Sequence, residues 1–370
     1  MKDPSDPPAS YAAAGVSVEE GERAVALMRA AVAAAQRPET RGQFGGFAGI
    51  FDASALTRYR HPLLATSTDG VGTKVAVARA LGVHDTIGMD LVAMVVDDLV
   101  VCGAEPWFMT DYIAVGRVIP EQIAAIVSGI ARGCQQAGCA LLGGETAEHP
   151  GLMAPDEYDL AGAGTAVVEA DRLLGPDRVR AGDVVVAMAS SGLHANGYSL
   201  ARLVLLGAGG PGLDGYLDDL GRTVGEELLE PTRIYARDCL EVAERVEVHA
   251  FSHVTGGGLA ANLARVLPAN LAADLDRGTW SPLPIFDVIG RLGGIEQAEL
   301  ERTFNMGIGM LAVLPAGQAD AAIEMLADRG VTAWACGQVR ERLGQEQGDA
   351  PAKGGDGGAV NLVGRYRTGD

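Results

Sequence analysis

A chain of 370 residues holds about two domains, each able to bury a core. Its apolar content of 48% and charged content of 21% are those of an ordinary soluble globular protein. A net charge of −19 argues against nucleic acid or an anionic membrane as partner, and phosphate ligands would need metal ions, backbone amides and a few placed cations to offset it.

Met1–Ser10 is rich in Pro and Asp without an apolar centre, so it is not a signal peptide. The chain has no run of about eighteen apolar residues to span a membrane. Tyr11–Val16 reads as a short arm. Ser17 and Glu20 form a capping-box pattern for a helix reaching about Gln36, with Ala24, Leu27, Met28, Ala31, Val32 and Ala35 on one stripe and Pro38 as the stop. Gly42–Ile50 is glycine-rich with apolar anchors, either a flap over a ligand or an irregular loop.

Pro62–Ala65 predicts a strand and Val75–Leu81 a helix. Between them lies Thr66-Ser67-Thr68-Asp69-Gly70-Val71-Gly72-Thr73-Lys74. Glycines permit a sharp turn and close approach to a ligand, and a helix start suits phosphate. Asp69 is placed to hold a magnesium ion bridging phosphates, or Asp69 and Thr73 simply cap the helix. Ile87–Gly103 has helical spacing, with Asp98 near its apolar stripe: it faces solvent or an arginine, or ligates the same metal. Asp97 reads as surface. Pro106–Gly116 alternates as a strand, and Pro120–Ala137 is an amphipathic helix closed by Gly138. Ala140–Leu142 is a buried strand leading to Gly143-Gly144-Glu145-Thr146-Ala147-Glu148, whose carboxylates suit a cation or amine or belong to a plain acidic loop. Tyr158–Val168 is another strand, and a domain boundary falls near 170–181.

In the second half, the strand Asp183–Ala189 ends in Ser190-Ser191-Gly192-Leu193-His194-Ala195-Asn196-Gly197-Tyr198-Ser199. No nucleophile elbow is present, so a phosphate- or base-contacting turn is the better reading than a triad, the alternative being a capped turn with His194 in solvent. Gly210–Gly215 matches G-x-G-x-x-G formally but contains Pro and opens no helix, so it is a surface loop. Pro231 is expected to start a helix running to Arg245. Val248–His253 is a strand entering Thr255-Gly256-Gly257-Gly258, a third strand–glycine–helix junction, with His253 ambiguous between ligand and core. Strands follow at Asn270–Leu275, Leu311–Leu314 and Thr332–Val339, with helices at Pro284–Leu292, Gln297–Arg302 and Gln318–Arg329. Gly344–Gly358 is expected to be a disordered loop and Ala359–Val363 a last edge strand. The five cysteines, Cys102, Cys134, Cys139, Cys239 and Cys336, read as buried reduced thiols of a cytoplasmic protein. Residues alone thus point to a metal-dependent enzyme acting on a phosphorylated substrate.

These motifs, together with Gly45-Gly46-Phe47, His84-Asp85-Thr86-Ile87-Gly88, Gly103-Ala104-Glu105-Pro106, Glu230-Pro231-Thr232-Arg233-Ile234-Tyr235 and Arg302-Thr303-Phe304-Asn305-Met306-Gly307, occur in an order that resembles the phosphoribosylformylglycinamidine cyclo-ligase family, also called aminoimidazole ribonucleotide synthetase. The resemblance covers roughly residues 10–340. It implies an α+β fold of two domains, with N-terminal strands forming a barrel across a homodimer. The division it implies is an arm at 1–16, an ATP- and metal-binding domain at 17–172, a C-terminal domain at 173–343 and a Gly-rich tail at 344–370. It also implies ATP-dependent closure of formylglycinamidine ribonucleotide to aminoimidazole ribonucleotide, with ADP and phosphate released, in purine biosynthesis.

On this reading Asp69 and Asp98 hold Mg2+, while Gly70, Gly72, Thr73 and Lys74 meet the ATP phosphates. Gly45, Gly46 and Phe47 form the flap. Glu145, His194 and Asn196, with Gly256, Gly257 and Gly258, face the ribonucleotide, and His194, Lys74 and Glu145 are the catalytic candidates. His194 is the candidate for proton transfer. Arg29 stands where relatives often carry lysine, and Asp97 where Asn is common. The same superfamily includes a thiamine-phosphate kinase, a selenophosphate synthetase and a hydrogenase-maturation dehydratase. The first cysteine being Cys102 argues against the second, and an end at Asp370 rather than Cys against the third.

Overall fold

The computed structural model describes residues 16–42 and 45–367. The expected arm at 1–16 lies, apart from Val16, outside them, as do Gln43 and Phe44 of the glycine-rich segment. Helix α1 (Val18–Ala34) starts at Ser17, whose hydroxyl accepts the Glu20 amide at 3.2 Å. The return half of the capping box is replaced by a long-range bond, the Ser17 amide donating to Glu148 Oε2 at 2.9 Å.

A two-residue ribbon, β1 (Thr40–Arg41) and β2 (Ile50–Phe51), precedes β3 (Pro62–Gly70). Then follow α2 (Lys74–Leu81), α3 (Ile87–Val100), β4 (Glu105–Val115), α4 (Pro120–Ala137), β5 (Ala140–Glu148) and β6 (Tyr158–Glu169). The four strands order as β3-β6-β4-β5, antiparallel except for the parallel β4–β5 pair. One face of this sheet carries α3 and α4. Helix α3 sits close because β6 presents glycine to it: a Cβ on Gly164 would come within 2.8 Å of Val95 and Leu99 side chains. The other face is open, with Leu64 67% exposed and Tyr112 43% exposed.

The second half contributes β7 (Val184–Ala189), α5 (Tyr198–Leu206), the ribbon β8 (Tyr216–Leu217) and β9 (Arg222–Thr223), α6 (Val224–Leu228), α7 (Ala236–Arg245), β10 (Ala250–His253) and α8 (Gly258–Ala264). After these come β11 (Leu271–Asp276), α9 (Pro284–Gly293), α10 (Gln297–Thr303), β12 (Ile308–Leu314), α11 (Ala319–Asp328), β13 (Ala333–Glu341) and β14 (Ala359–Val363). Six strands order as β10-β12-β7-β13-β11-β14, with β14 the expected edge. The central strand β7 alternates: Val186 and Met188 join a core shared with α3 and α4, whereas Val185 and Ala187 join a second core under α5, α8 and α9. The first core runs unbroken from one half of the chain into the other.

Two expectations change here. Pro231 does not start a helix; α7 begins at Ala236. The amides of Thr232 and Tyr235 donate instead to carboxylates of α3, which holds this segment out of the helix. The Gly-rich stretch 344–358 is laid down in turns. Its Asp349, Lys353 and Gly358 amides donate to the carbonyls of Val360, Ala261 and Ala264 at 2.8, 3.2 and 3.1 Å, and Ala350 is buried.

Candidate active site

Strand β3 continues five residues past Ala65. Thr66 and Thr68 donate their hydroxyls to the Gly164 and Gly162 carbonyls at 2.9 Å, adding to the backbone ladder with β6. The turn into α2 is therefore only Val71–Thr73, made possible by Gly72 at φ +55°. Neither expected cap forms: Asp69 Oδ1 accepts its neighbour's amide, Gly70 N, at 2.7 Å, and Thr73 Oγ1 stands 3.3 Å from Ser199 Oγ of the second half. At the start of α2 the Val75 and Ala76 amides turn back onto the Gly72 and Thr73 carbonyls, at 3.5 and 3.2 Å.

Across that cleft, Asn196 Oδ1 accepts the Gly256 amide at 3.0 Å, tying the turn after β7 to the turn after β10. Asp98 on α3 reaches the same place, and His253 at the end of β10 bonds it through Nδ1 at 2.9 Å. Burial raises the Asp98 carboxyl, but that bond, the His253 charge and the cations Arg265 and Lys353 outweigh it and hold Asp98 below its usual range. Burial lowers His253, but the bond to Asp98 and the charges of Asp97, Asp98 and Asp69 outweigh it and hold the imidazole above its usual value. Asp69 goes the other way: partial desolvation pushes it up, against the Gly70 amide, and the nearby charge of Asp98 adds to the rise. Asp69 and Asp98 thus form a mutually repelling pair.

Lys74 does not face phosphate. Its side chain is fully buried, and its ammonium donates to Asp90 Oδ1 at 2.7 Å, to the His194 carbonyl at 3.0 Å and to the Glu230 carbonyl at 2.7 Å. Asp90 Oδ1 also accepts the Thr232 amide at 2.8 Å and its hydroxyl at 2.6 Å. Burial draws both groups toward neutrality, Lys74 downward and Asp90 upward. Three acceptors on the ammonium and three donors on one carboxylate oxygen keep the pair ionised. This pair joins α2 and α3 to both segments of the second half that border the cleft.

His194 is likewise placed away from proton transfer. It is 1% exposed at φ +62°, and its Nε2 accepts the Ser191 amide at 3.2 Å, so the ring proton sits on the enclosed Nδ1. Burial, then the charges of His253, Lys74 and Arg233, hold it well below its usual value and hence neutral. The ring packs where Gly309 leaves no side chain. Asp97 is not on the surface either. It is fully buried and accepts the Tyr235 amide at 3.0 and 3.1 Å, because α3 is covered by its own sheet on one side and by the second half on the other.

Glu145 and the flap segment stand apart from this cluster. Pairing runs from Gly70 to Ala161, to Tyr112, to Glu145, so Glu145 lies across the whole sheet. That is about 14 Å, three strand spacings. Gly49 rests against Leu142 at the same β5 edge, where a Cβ would lie 2.6 Å from the Leu142 carbonyl oxygen, and Gly45, Gly46 and Phe47 are exposed beside it. The sequence leaves His253 open between ligand and core and gives Asp90 no role in the site. One signal was available: Asp90 and Asp97 are seven apart on α3 and share its stripe.

Two family models match the two halves of this α+β chain. "AIR synthase related protein, N-terminal domain" matches residues 51–168, and "AIR synthase related protein, C-terminal domain" matches 180–346. Among solved structures, thiamine-monophosphate kinase from Stenotrophomonas maltophilia K279a shares the fold at TM-score 0.62 and 20% identity, covering 93% of this chain and 97% of its own. Hydrogenase maturation protein HypE in complex with ATP does so at TM-score 0.58 and 19% identity, over 84% of each chain. Much higher identity comes from two phosphoribosylformylglycinamidine cyclo-ligases. That of Geobacillus kaustophilus (strain HTA426) is 49% identical over 335 residues, covering 90% of this chain and 96% of the relative. That of Anaeromyxobacter sp. (strain Fw109-5) is 51% identical over 337 residues, covering 91% and 97%. The chain belongs to the phosphoribosylformylglycinamidine cyclo-ligase family and is an enzyme of that kind.

Proposed function

We propose that this enzyme uses ATP to close the imidazole ring of formylglycinamidine ribonucleotide, releasing aminoimidazole ribonucleotide, ADP and phosphate. An amide oxygen is a poor leaving group. Transfer of the terminal phosphoryl group onto it makes phosphate the leaving group, and the amidine nitrogen attacks the activated carbon. Such a step needs positioning and charge neutralisation rather than a protein nucleophile. The observation that carries this reading is the contact of Thr73 with Ser199, which sets the Asp69–Thr73 segment of one half against the turn whose Asn196 holds Gly256 in the other. A fold neighbour solved with ATP is in keeping with it.

Among the described residues no three of His, Cys, Asp and Glu gather into a metal cage. That fits magnesium delivered with phosphates, which takes one or two protein carboxylates and completes its shell with substrate oxygens and water. The repelling pair Asp69 and Asp98 supplies those oxygens, with His253 orienting Asp98. Bound there, the ion would neutralise charge on the transferring phosphoryl group. The Gly70 and Gly72 amides and the Thr73 hydroxyl are assigned to ATP phosphates, and Asn196 with Gly256, Gly257 and Gly258 to the ribonucleotide.

The open face of the N-terminal sheet is assigned to a homodimer in which two such sheets close a barrel, leaving no free edges. Closure with β5 of one protomer beside β3 of its partner would bring Glu145 and the Gly45–Phe47 flap to the partner's Asp69. No helix among the described residues is long and apolar enough to cross a membrane, and we assign the enzyme to the cytoplasm. The test is ADP release with magnesium and formylglycinamidine ribonucleotide, set beside thiamine phosphate as acceptor. Turnover with thiamine phosphate alone would replace this reading with a kinase.

A further inference from the structure

The cleft holds two repelling carboxylates in a chain of net charge −19, yet Lys74, the cation expected to meet phosphate, is enclosed. Arg265 sends its charge toward Asp98, and the structure supplies a second cation, which also reaches Asp69, from beyond the family's C-terminal model, which stops at residue 346. The tail after that point is seated along α8. The Lys353 amide donates to the Ala261 carbonyl at 3.2 Å, and the Gly358 amide to the Ala264 and Leu267 carbonyls at 3.1 and 3.0 Å. Gly357 passes so close to Ala264 that a Cβ would collide with its carbonyl, and Ala352 packs on the second core. This seating fixes Lys353 one helical turn from Gly258, beside the turn that Asn196 anchors.

The Lys353 side chain is exposed, and its ammonium has no hydrogen-bond or ion-pair partner among the described residues. Its charge reaches both Asp69 and Asp98, which come from two elements of the other half of the chain. The chain has only three lysines, Lys2, Lys74 and Lys353, among 29 cations. Lysine, a compact charge on a flexible stem, suits a group that must follow a phosphoryl oxygen in an open cleft.

We propose that Lys353 binds a phosphoryl group of a substrate in the cleft beside Asp69, Asp98 and Gly256, which makes the Gly-rich tail part of the substrate site. The proposal rests on the ATP-dependent reading above. The phosphoryl group belongs either to the nucleoside triphosphate or to the ribonucleotide, and separate titrations tell them apart.

The experiment compares wild-type enzyme with Lys353→Ala and Lys353→Arg by steady-state kinetics in each substrate and by calorimetric affinity for a non-hydrolysable ATP analogue with magnesium. Lys353→Ala is expected to raise KM for one of the two substrates about tenfold, the value of one charge-assisted hydrogen bond, with kcat within about threefold. Lys353→Arg is expected to recover most of that loss because the charge remains. A rise confined to ATP, matched by weaker analogue binding, assigns the triphosphate; a rise confined to the ribonucleotide assigns its phosphate. Unchanged KM for both substrates in Lys353→Ala overturns the proposal. If wild-type enzyme makes no ADP with formylglycinamidine ribonucleotide, the proposed reaction falls, while a loss of analogue affinity in Lys353→Ala would still uphold the phosphoryl contact.

Discussion

Along the boundary between the two halves, the rim of the cleft and its floor use the same kinds of residue for different ends. At the rim, Asp69, Thr73, Asp98 and Asn196 keep polar atoms open to a ligand. On the floor, Lys74, Asp90 and Asp97 are buried and bonded to backbone groups of the opposite half, and His194 is buried against the Ser191 amide of its own. Neighbours in sequence divide between the two: Thr73 from Lys74, Asp98 from Asp97, Asn196 from His194. A motif of contiguous residues is thus part chemistry and part joinery, because successive side chains on a helix or turn point about 100° or more apart.

The floor predicts the largest effect. Lys74→Met leaves Asp90 buried without its cation and should cost about 3–5 kcal/mol, read as a fall in denaturant midpoint, and Asp90→Leu added to it should recover part of the loss. If Lys74→Met unfolds at the wild-type midpoint, the division between floor and rim is mistaken.

At the rim, Asp69→Asn should lower turnover at least about tenfold through loss of a metal ligand, with an unchanged midpoint. Unaltered turnover would remove the metal assignment. Glu145, at the far edge of the sheet, sharpens the comparison further. Asp69→Asn and Glu145→Gln enzymes, each impaired alone, should regain about a quarter of wild-type activity after subunit mixing, as random two-fold pairing leaves one intact site in half of the dimers. No recovery would return Glu145 to its own chain's site.

The smallest effect is on the pH dependence of stability. Burial pushes Asp97 from 3.8 to about 7. Between those values the folded state holds a proton that the unfolded state has lost, so stability from this group is full at low pH and is lost as pH rises toward 7. Asp97→Asn keeps an acceptor for the Tyr235 amide and removes the titration. It should leave stability near pH 4 almost unchanged and raise it by roughly 1–3 kcal/mol at pH 8. Parallel melting curves at both pH values would show that Asp97 does not titrate in this range.

Much of the fold was legible because its signals are local. Helix α4 runs from Pro120 to Ala137 with Gly138 in the left-handed conformation, as proline at the start and glycine past the end dictate. Strand β14 falls at Ala359–Val363 as its apolar run requires. The ordered glycine junctions carried the family. Illegible were the length of β3, the non-helical Pro231–Tyr235 segment and the seated tail, since each depends on hydrogen-bond partners distant in sequence: Gly162 and Gly164, Asp90 and Asp97, Ala261 and Ala264.

By itself, then, the sequence determined which residues can turn sharply, cap, alternate or carry charge, and in which order those capacities come. Only the tertiary structure decided which carboxylate stays in the cleft and which is sealed against an amide, that Lys74 belongs to the floor, and that the tail carrying Lys353 is seated along α8. Burial and pairing set a charged group's role, and both are properties of what folds against it.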